Sequence, residues 1–467
     1  MTSDYRKVLE QTLTHALEYL DNLGQASVSA TANLLDLRQR LFRPLADEGM
    51  NADQVIDDLV TDVQGGLLGS AGGRFFGWVI GGSLPVALAA DWLTSTWDQN
   101  AALYACGPAE AVIEEVCGQW LKELLGLPAT ASFAFVTGCQ MAHVTCLAAA
   151  RNALLKERNW DVERKGLADA PQFSILCGQR HGSIERAIRL LGFGSDNVID
   201  LPGNKMGRLE ASILAKAIER HRNSPTIVLL QAGDINTGGF DSFAELIPIA
   251  HESGAWVHVD GAFGLWAAAS PKYKSFLKNV EQADSWATDG HKWLNVPYDC
   301  GYAFVADSTA HRESMSHRAT YLTHDADARD QIDWNPEWSR RGRGVATYAA
   351  LRQLGKQGVA DLIERTSEHA HRLVTRIGSL PGAELVSEPQ INQGLVRFLD
   401  AKPDAQDADH DRRTAEVISN ILKKGEAFFE GTTWRGKRCM RVSVCNWQTN
   451  NKDVERAVNA VQRALES

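Results

Sequence analysis

Residues 226–264 read TIVLLQAGDINTGGFDSFAELIPIAHESGAWVHVDGAFG. Two short, mostly apolar runs, at 226–232 and 255–260, lie on either side of a helical stretch at 243–254. Each run is followed at once by glycine, which is typical of a buried strand that ends in a turn. The segment therefore predicts a strand–helix–strand unit, the connection that joins parallel strands of one sheet.

The same alternation extends from about residue 105 to residue 307. Its other apolar strands read SFAFVTG, QFSILCG, NVIDLPG, DSWATDG and CGYAFVAD, and helical segments separate most of them. This pattern predicts an α/β fold in which helices cover both faces of a mostly parallel seven-stranded sheet. In such sheets, ligands lie at the carboxyl ends of the strands.

The two ends of the chain have a different pattern. Residues 1–70 contain two helical stripes, each with one apolar face, and we expect this N-terminal segment to pack on another domain or subunit. Residues 71–345 form the predicted large α/β domain. Within 346–467, a long helical segment precedes the strands GLVRFLD and MRVSVCNW, which predicts a small α+β C-terminal domain.

Composition excludes several classes of function. The chain has 467 residues, 44% hydrophobic and 23% charged, as in ordinary soluble globular proteins. Its net charge of −10 argues against a surface for nucleic acid or anionic membranes. The most apolar early run, FFGWVIGGSLPVALAADWL, is broken by glycine, proline and aspartate, so no membrane span is predicted. The opening residues lack the apolar segment of a signal peptide, and the eight cysteines are scattered, so we expect a cytoplasmic protein with free thiols and no metal site.

Three polar residues stand at the ends of separate predicted strands. Asp260 ends WVHVD, Lys292 follows in DGHK, and His181 follows in CGQRH. Together they supply what pyridoxal 5'-phosphate (PLP) requires, because an amine binds its aldehyde, a carboxylate keeps its pyridine nitrogen protonated, and a flat ring stacks on it. The turn VTGCQMA, at the start of a predicted helix, would present backbone N–H groups to the phosphate.

Each of these residues has a simpler interpretation when taken alone. Lys292 could be a solvated surface lysine, and Asp260 could cap a turn. His181 could be a loop histidine, and residues 137–140 could form an ordinary strand-to-helix turn. Their joint placement at the ends of the right strands favours the cofactor site.

The sequence resembles the group II PLP-dependent amino-acid decarboxylases, the family of aromatic-L-amino-acid, glutamate and histidine decarboxylases. The most specific matching pieces, in chain order, are QRHGSIERA, AGDINTGGFD, HVDGAFG and DGHKWLNVPYDCG. The resemblance covers nearly the whole chain. It implies the type I fold of PLP-dependent transferases and a homodimer with shared active sites.

The resemblance also implies roles for individual residues. Lys292 forms the Schiff base with PLP, Asp260 pairs with the pyridine nitrogen, and His181 stacks on the ring. Ala262 packs against the opposite ring face, and His291 lies beside the phosphate and supports the lysine.

Four more cofactor-binding positions follow from the resemblance: Thr137, Asp289, and the phosphate-turn residues Cys139 and Gln140. At this turn the family prefers a small residue and then Ser or Thr. The hydroxyl is missing here, so the backbone amides and Gln140 must replace it.

The segment HRATYLTHDADARDQIDWNPEWSRR resembles the mobile catalytic loop of the family. Tyr321 lies 29 residues after Lys292 (321 − 292), at the position of the tyrosine that delivers a proton to the substrate Cα. The alternative is a tyrosine buried at the edge of the small domain.

The implied reaction is the decarboxylation of an L-amino acid to its amine and CO2. Where glutamate decarboxylases have polar residues, this chain has Trp78, Val79, Ile80 and Gly81. Trp78 and Ile80 are therefore candidate substrate contacts, and we expect an aromatic or otherwise apolar substrate. Two alternatives stay open: other PLP chemistry, such as aldehyde-forming oxidative deamination, lyase or aminotransferase activity, and a catalytically inactive protein with the PLP fold.

Overall fold

The computed structural model describes residues 5–317 and 328–466. Three helices open the chain: α1 Tyr5–Asn22, α2 Leu34–Leu41 and α3 Ala52–Asp62. The start of α2 is fixed by a capping box, in which the Asn33 side chain accepts the N–H groups of Leu35 and Asp36. Both helices predicted for this segment are present, and α3 is an addition.

Seven strands form the larger sheet: β1 Ser132–Val136, β2 Ser174–Cys177, β3 Val198–Asp200, β4 Thr226–Gln231, β5 Trp256–Asp260, β6 Ser285–Asp289 and β7 Gly301–Val305. They lie in the order β1-β7-β6-β5-β4-β2-β3. Strand β7 is antiparallel to both of its neighbours, and the other pairs are parallel. The prediction of a mostly parallel seven-stranded sheet is confirmed.

Helices lie on both faces of this sheet: α4 Pro85–Trp97, α5 Pro108–Leu124, α6 Cys139–Lys156, α7 Val162–Lys165, α8 Gly182–Leu190, α9 Ala211–His221, α10 Phe243–His251 and α11 Ser308–Met315. Strand β4 shows how the two faces are covered. Val228 and Leu230 belong to one buried apolar cluster, whereas Ile227 and Leu229 belong to another. Because successive side chains of a strand point to opposite faces, both faces of the sheet are buried.

The C-terminal part has a second, antiparallel sheet with strands β8 Ala383–Ser387, β9 Gln393–Phe398, β10 Glu430–Trp434 and β11 Lys437–Ser443 in the order β10-β11-β9-β8. Its helices are α12 Gly344–Gly378, α13 Asp407–Lys424 and α14 Asn451–Leu465. The long predicted helix is present as α12, but its backbone breaks at Gly355, where φ is +59°. The α+β prediction is confirmed, although the sequence indicated only the two central strands, β9 and β11.

Two further findings concern the predictions from composition. In residues 5–317 and 328–466, no helix is long and apolar enough to span a bilayer. All eight cysteines lie in the described ranges as free thiols, with Cys106 exposed and the other seven buried.

Candidate active site

The candidate site lies where β4, β5 and β6 end side by side. Gln231 and Asp260 are register partners at the ends of β4 and β5. Asp289 ends β6 and leads directly into the turn that carries Lys292. One cleft is lined by Gln179, Arg180, His181, Gln231, Gly233, Asp234, Ile235, Asn236, Asp260, Ala262, Phe263 and Lys292. The structure thus brings together the lysine, the aspartate and the histidine that the sequence placed at one sheet edge.

Lys292 is held by a carboxylate of its own turn. Its Nζ lies 2.9 Å from Oδ2 of Asp289, and the lysine side chain is 19% exposed. Burial is the largest single influence and lowers the pKa of Lys292, but the charge and hydrogen bond of Asp289, together with other groups that include Asp260, raise it by more, and the resulting pKa lies above the usual value for lysine. The amine is therefore an ammonium in this arrangement, and it must lose a proton before it can act as a nucleophile.

Asp289 serves two further groups. Its Oδ1 accepts the backbone N–H of Cys139 at 2.6 Å, and Nε2 of His291 lies 3.5 Å from the same oxygen. The N–H of Cys139, which we expected to face the phosphate, is thus bonded to a carboxylate. The next two amides of the first turn of α6, those of Gln140 and Met141, have no carbonyl acceptor within the helix and are the ones suited to an anion.

Asp260 is buried, with 2% exposure, and faces several donors. Its Oδ1 accepts the backbone N–H of Ala262 at 3.1 Å. Nε2 of His143 lies 3.8 Å from Oδ2. Burial by itself raises the pKa of Asp260, but His143, His181 and Lys292, in that order, lower it by more. The pKa of this carboxyl is therefore below its usual value, and Asp260 is an anion.

His181 forms the N-cap of α8 at the open side of the cleft. Its Nδ1 accepts the backbone N–H of Ser183 at 3.2 Å and lies 2.8 Å from the hydroxyl of the same serine. Partial burial lowers the pKa of His181, so the ring is neutral near pH 7. These contacts fix the ring edge at Nδ1 and leave an uncharged aromatic face in the lining of the cleft.

His291 is oriented by the backbone. Its Nδ1 accepts the N–H of Cys300 at 3.1 Å, so its ring proton is on Nε2, the atom nearest Asp289. Its ring stacks on Tyr298 with centroids 4.3 Å apart. His291 therefore supports the carboxylate that holds the lysine, and its predicted place beside a phosphate stays a prediction.

The two candidate substrate contacts lie beside the cleft. Trp78, with φ of +50°, is 45% exposed and packs against Phe75 and Phe428, and Ile80 packs on the same aromatic pair. Neither residue is among the cleft-lining residues. Their segment nevertheless contacts the lysine turn, because a Cβ on Gly81 would lie 2.1 Å from the carbonyl oxygen of Lys292.

Two further predictions concern the turn before α6 and the segment that contains Tyr321. Thr137 and Gln140 are half-buried at the junction of β1 and α6, where the sequence placed them. Tyr321 lies outside the described residues, so its predicted role stays a prediction.

Two buried histidines next to Asp260, His143 and His258, were not predicted from the sequence. Nδ1 of His143 lies 2.9 Å from Nε2 of His258, and both side chains are fully buried. The sequence positions of both histidines could have indicated that they lie near Asp260. His258 stands two residues before Asp260, which puts both on one face of the strand, and His143 follows Cys139 by one helical turn.

Three of these groups also lie close enough to hold a metal ion. The donor atoms of Cys139, His143 and Asp260 all lie within 4.8 Å of one another. Their contacts are those of hydrogen-bond and charge partners, with Sγ of Cys139 3.4 Å from Nε2 of His143 and 4.0 Å from Oδ1 of Asp260. The group therefore forms a polar network under the carboxylate.

The donor set fits PLP. Lys292 would supply the amine for the aldehyde, anionic Asp260 would match a protonated pyridine nitrogen, and His181 and Ala262 line the same cleft. The first turn of α6 would supply amides for the phosphate. Asp260 does accept a backbone N–H of its own turn and His181 does cap α8, whereas Lys292, at 19% exposure, is not a solvated surface lysine.

Comparisons with known proteins identify the family of the chain. Residues 36–399 match the family described as the pyridoxal-dependent decarboxylase conserved domain. The aromatic-L-amino-acid decarboxylase of Bacillus atrophaeus is 25% identical over 97% of this chain and 93% of its own length. The phenylacetaldehyde synthase of Petunia hybrida is 24% identical over 88% of this chain and 84% of its own.

A solved structure gives the same fold. The crystal structure of Oryza sativa TDC with PLP and tryptamine superposes with a TM-score of 0.93 at 21% identity and covers 100% of this chain and 98% of that one. The match spans both the seven-stranded sheet and the small antiparallel sheet. The family model matches most of the chain, so the chain belongs to the pyridoxal-dependent decarboxylase family, with PLP as its cofactor and amino-acid decarboxylation as its function.

Proposed function

We propose that the protein is a carboxy-lyase that converts a neutral, aromatic or otherwise apolar L-amino acid into its amine. The balanced reaction is R–CH(NH3+)–COO⁻ + H+ → R–CH2–NH3+ + CO2. The observation that carries the proposal is the pair formed by Lys292, ion-paired to Asp289 in the cleft, and anionic Asp260 at the end of the adjacent strand. When bound, PLP supplies the electron sink that allows the bond between Cα and the carboxylate to break.

The residues of the chain would bind and orient the cofactor and the substrate. Lys292 would hold the cofactor covalently between turnovers and would be released as the free amine while the substrate takes its place, and Asp289 would pair with that amine whenever it is an ammonium. Asp260 would keep the proton on the pyridine nitrogen, and this interaction would be strong because the carboxylate is buried. His181, which lines the cleft, would stack on the cofactor ring. Tyr321 would bring the proton that replaces CO2 at Cα.

The lining of the cleft supports a neutral substrate. Among the cleft-lining residues that the structure describes, the cations are Lys292 and Arg180. Arg180 is already paired with Asp200 and, at 3.1 Å, with Glu185. A substrate with a side-chain carboxylate would need a cation to offset its desolvation. Phe263 in the lining and the adjacent Trp78 segment favour an apolar side chain.

The name of one relative supports a second candidate reaction, which forms an aldehyde instead of an amine. The Petunia protein is named for an aldehyde product. The same lysine and aspartate serve both reactions, so the residue that moves the last proton decides between them.

The test is incubation of the holoenzyme with a panel of L-amino acids. Mass spectrometry measures amine and CO2, and separate assays measure aldehyde, ammonia and hydrogen peroxide. We expect amine and CO2 in equal amounts from an aromatic or apolar substrate, and Tyr321→Phe to divert turnover towards aldehyde, CO2, ammonia and hydrogen peroxide, with dissolved O2 as the oxidant. Aldehyde as the main product of the wild type would favour the second candidate reaction, and turnover of glutamate alone would contradict the substrate class.

We also propose that the protein is a homodimer. Leu9, Leu13 and Leu17 follow one another at four-residue spacing on α1, and each is at least 42% exposed. Such an apolar stripe favours a second copy of the chain as its cover. Analytical ultracentrifugation should give twice the chain mass for the wild type, whereas Leu13→Asp should shift the equilibrium to the monomer. A monomeric wild type would contradict the proposal.

A further inference from the structure

A line of buried polar groups crosses the sheet to reach Asp260. Trp256 donates its Nε1–H to the hydroxyl of Ser285 at 2.9 Å, and that hydroxyl lies 2.9 Å from Nδ1 of His258. Nε2 of His258 lies 2.9 Å from Nδ1 of His143, whose Nε2 lies 3.8 Å from Asp260. The rings of the two histidines are perpendicular, with an interplanar angle of 88°. The line begins on strands β5 and β6 and ends at the carboxylate.

The direction of the protons along this line is determined by the carboxylate. Burial lowers the pKa of His258 to about 3 and also lowers the pKa of His143, so each ring carries a single proton. In one direction, Ser285 donates to His258, and His258 then donates to His143. In the reverse direction, the lone pair of His143 at Nε2 would face an anionic carboxylate. The first direction therefore places the proton of His143 on Nε2, next to Asp260.

Cys139 gives this line a second branch. Its Sγ lies 3.4 Å from Nε2 of His143 and 4.0 Å from Oδ1 of Asp260. Burial raises the pKa of the Cys139 thiol well above its usual value, and the charges of Asp289 and Asp260 raise it further, so the sulfur keeps its proton and can donate it weakly to the carboxylate. The Asp260 carboxylate thus has two neighbouring donors, the Nε2–H of His143 and the thiol of Cys139.

We propose that His143, together with the thiol of Cys139, is a positioning residue that keeps Asp260 ionised and correctly placed for the pyridine nitrogen of PLP. The proposal rests on the proposed function, because it assigns Asp260 to that nitrogen. His143 touches neither the cofactor nor the substrate in this account. It acts through the carboxylate, as an outer partner that orients a binding group.

The direction of the protons is tested on the protein without cofactor. Nitrogen-15 NMR of the histidine-labelled apoprotein, assigned with His143→Gln and His258→Gln, reports which ring nitrogen carries the proton. We expect His143 and His258 to be protonated at Nε2 and bare at Nδ1. A proton on Nδ1 of His143 would overturn the proposal, whether or not the protein is a decarboxylase.

The effect on the cofactor is tested with PLP itself. Equilibrium titration of the apoprotein should give a PLP Kd that rises about tenfold or more in His143→Leu, because the buried carboxylate loses a nearby N–H group. His143→Gln keeps an N–H near the position of Nε2 and should stay within about threefold of the wild type. With 15N-labelled PLP, the pyridine nitrogen should be protonated in the wild type and the Gln variant, and less so in the Leu variant.

His311 offers a matched control. It is as fully buried as His143, and its nitrogens lie 2.8 Å from the hydroxyl of Ser132 and 2.9 Å from the carbonyl of Trp334. His311→Leu should lower thermal stability and leave the PLP Kd and the pyridine signal unchanged. Equal losses in the two Leu variants, or no loss in His143→Leu, would assign His143 a packing role only. If the wild type bound no PLP at all, the proposed function would fail, while the NMR result on the apoprotein would still decide the proton direction.

Discussion

The Nζ of Lys292 lies 2.9 Å from Oδ2 of Asp289, the carboxylate that ends the strand from which the lysine turn departs. The opposite oxygen of the same carboxylate accepts the N–H of Cys139, at the start of the helix on the other side of the site. Asp289 therefore links the amine to the first turn of α6. It also keeps the amine protonated, and an ammonium cannot attack an aldehyde.

Cofactor loading should consequently depend on pH. Because Asp289 holds the pKa of Lys292 above its usual value, the fraction of neutral amine in the apoprotein increases about tenfold for each pH unit from 7 to 9. The rate of covalent PLP uptake, followed by absorbance, should rise in parallel. Asp289→Asn removes the charge but keeps an oxygen for the N–H of Cys139, so it should load faster at pH 7. A pH-independent rate in the wild type, or slower uptake by the variant at every pH, would be inconsistent with this role.

Gly81 should be intolerant of any side chain. A Cβ there would lie 2.1 Å from the carbonyl oxygen of Lys292, a backbone atom that cannot move without displacing the lysine turn. We expect Gly81→Ala to cost about 1–3 kcal/mol in the free energy of unfolding, measured in urea, and to weaken PLP binding. Gly24→Ala is the control, because no atom lies within 4 Å of its added Cβ. Equal behaviour of the two variants would refute the close approach.

Glu110 should make stability depend on pH. Burial, and then the charge of Glu114, raise the pKa of Glu110 from 4.5 to about 7. Between about pH 4.5 and 7, the folded state keeps a proton on Glu110 that the unfolded state releases. The stability that this proton contributes to the folded state is therefore complete below this pH window and is lost as the pH rises through it. The loss is about 3 kcal/mol at most for a shift of this size. Glu110→Gln should therefore show a smaller drop in unfolding free energy between pH 5 and pH 8 than the wild type, and identical drops would contradict the assignment.

Much of this site could be predicted because its main residues follow strands. The positions of Asp260 and Lys292 at the ends of β5 and β6 come from the chain order of a parallel sheet, which apolar periodicity reveals. The same rule predicted the large sheet, including its buried faces.

What the sequence did not reveal depends on contacts between distant segments. Cys139 and Asp289 are 150 positions apart, and only the packing of α6 on β6 shows that the N–H of one meets the carboxylate of the other. The short strands β8 and β10 lie at the edges of the small sheet and are only partly buried, so their apolar signal is weak. The left-handed backbone at Trp78 turns its side chain towards Phe428, a direction that residue order does not determine.

The covalent attachment of the cofactor to Lys292 can be tested directly. Purified holoenzyme is reduced with borohydride, digested, and mapped by mass spectrometry for the peptide that has gained the pyridoxyl phosphate group. We expect a label on Lys292 alone and none in Lys292→Ala. A label on another lysine, or an unlabelled protein that nevertheless releases CO2 from amino acids, would contradict this attachment.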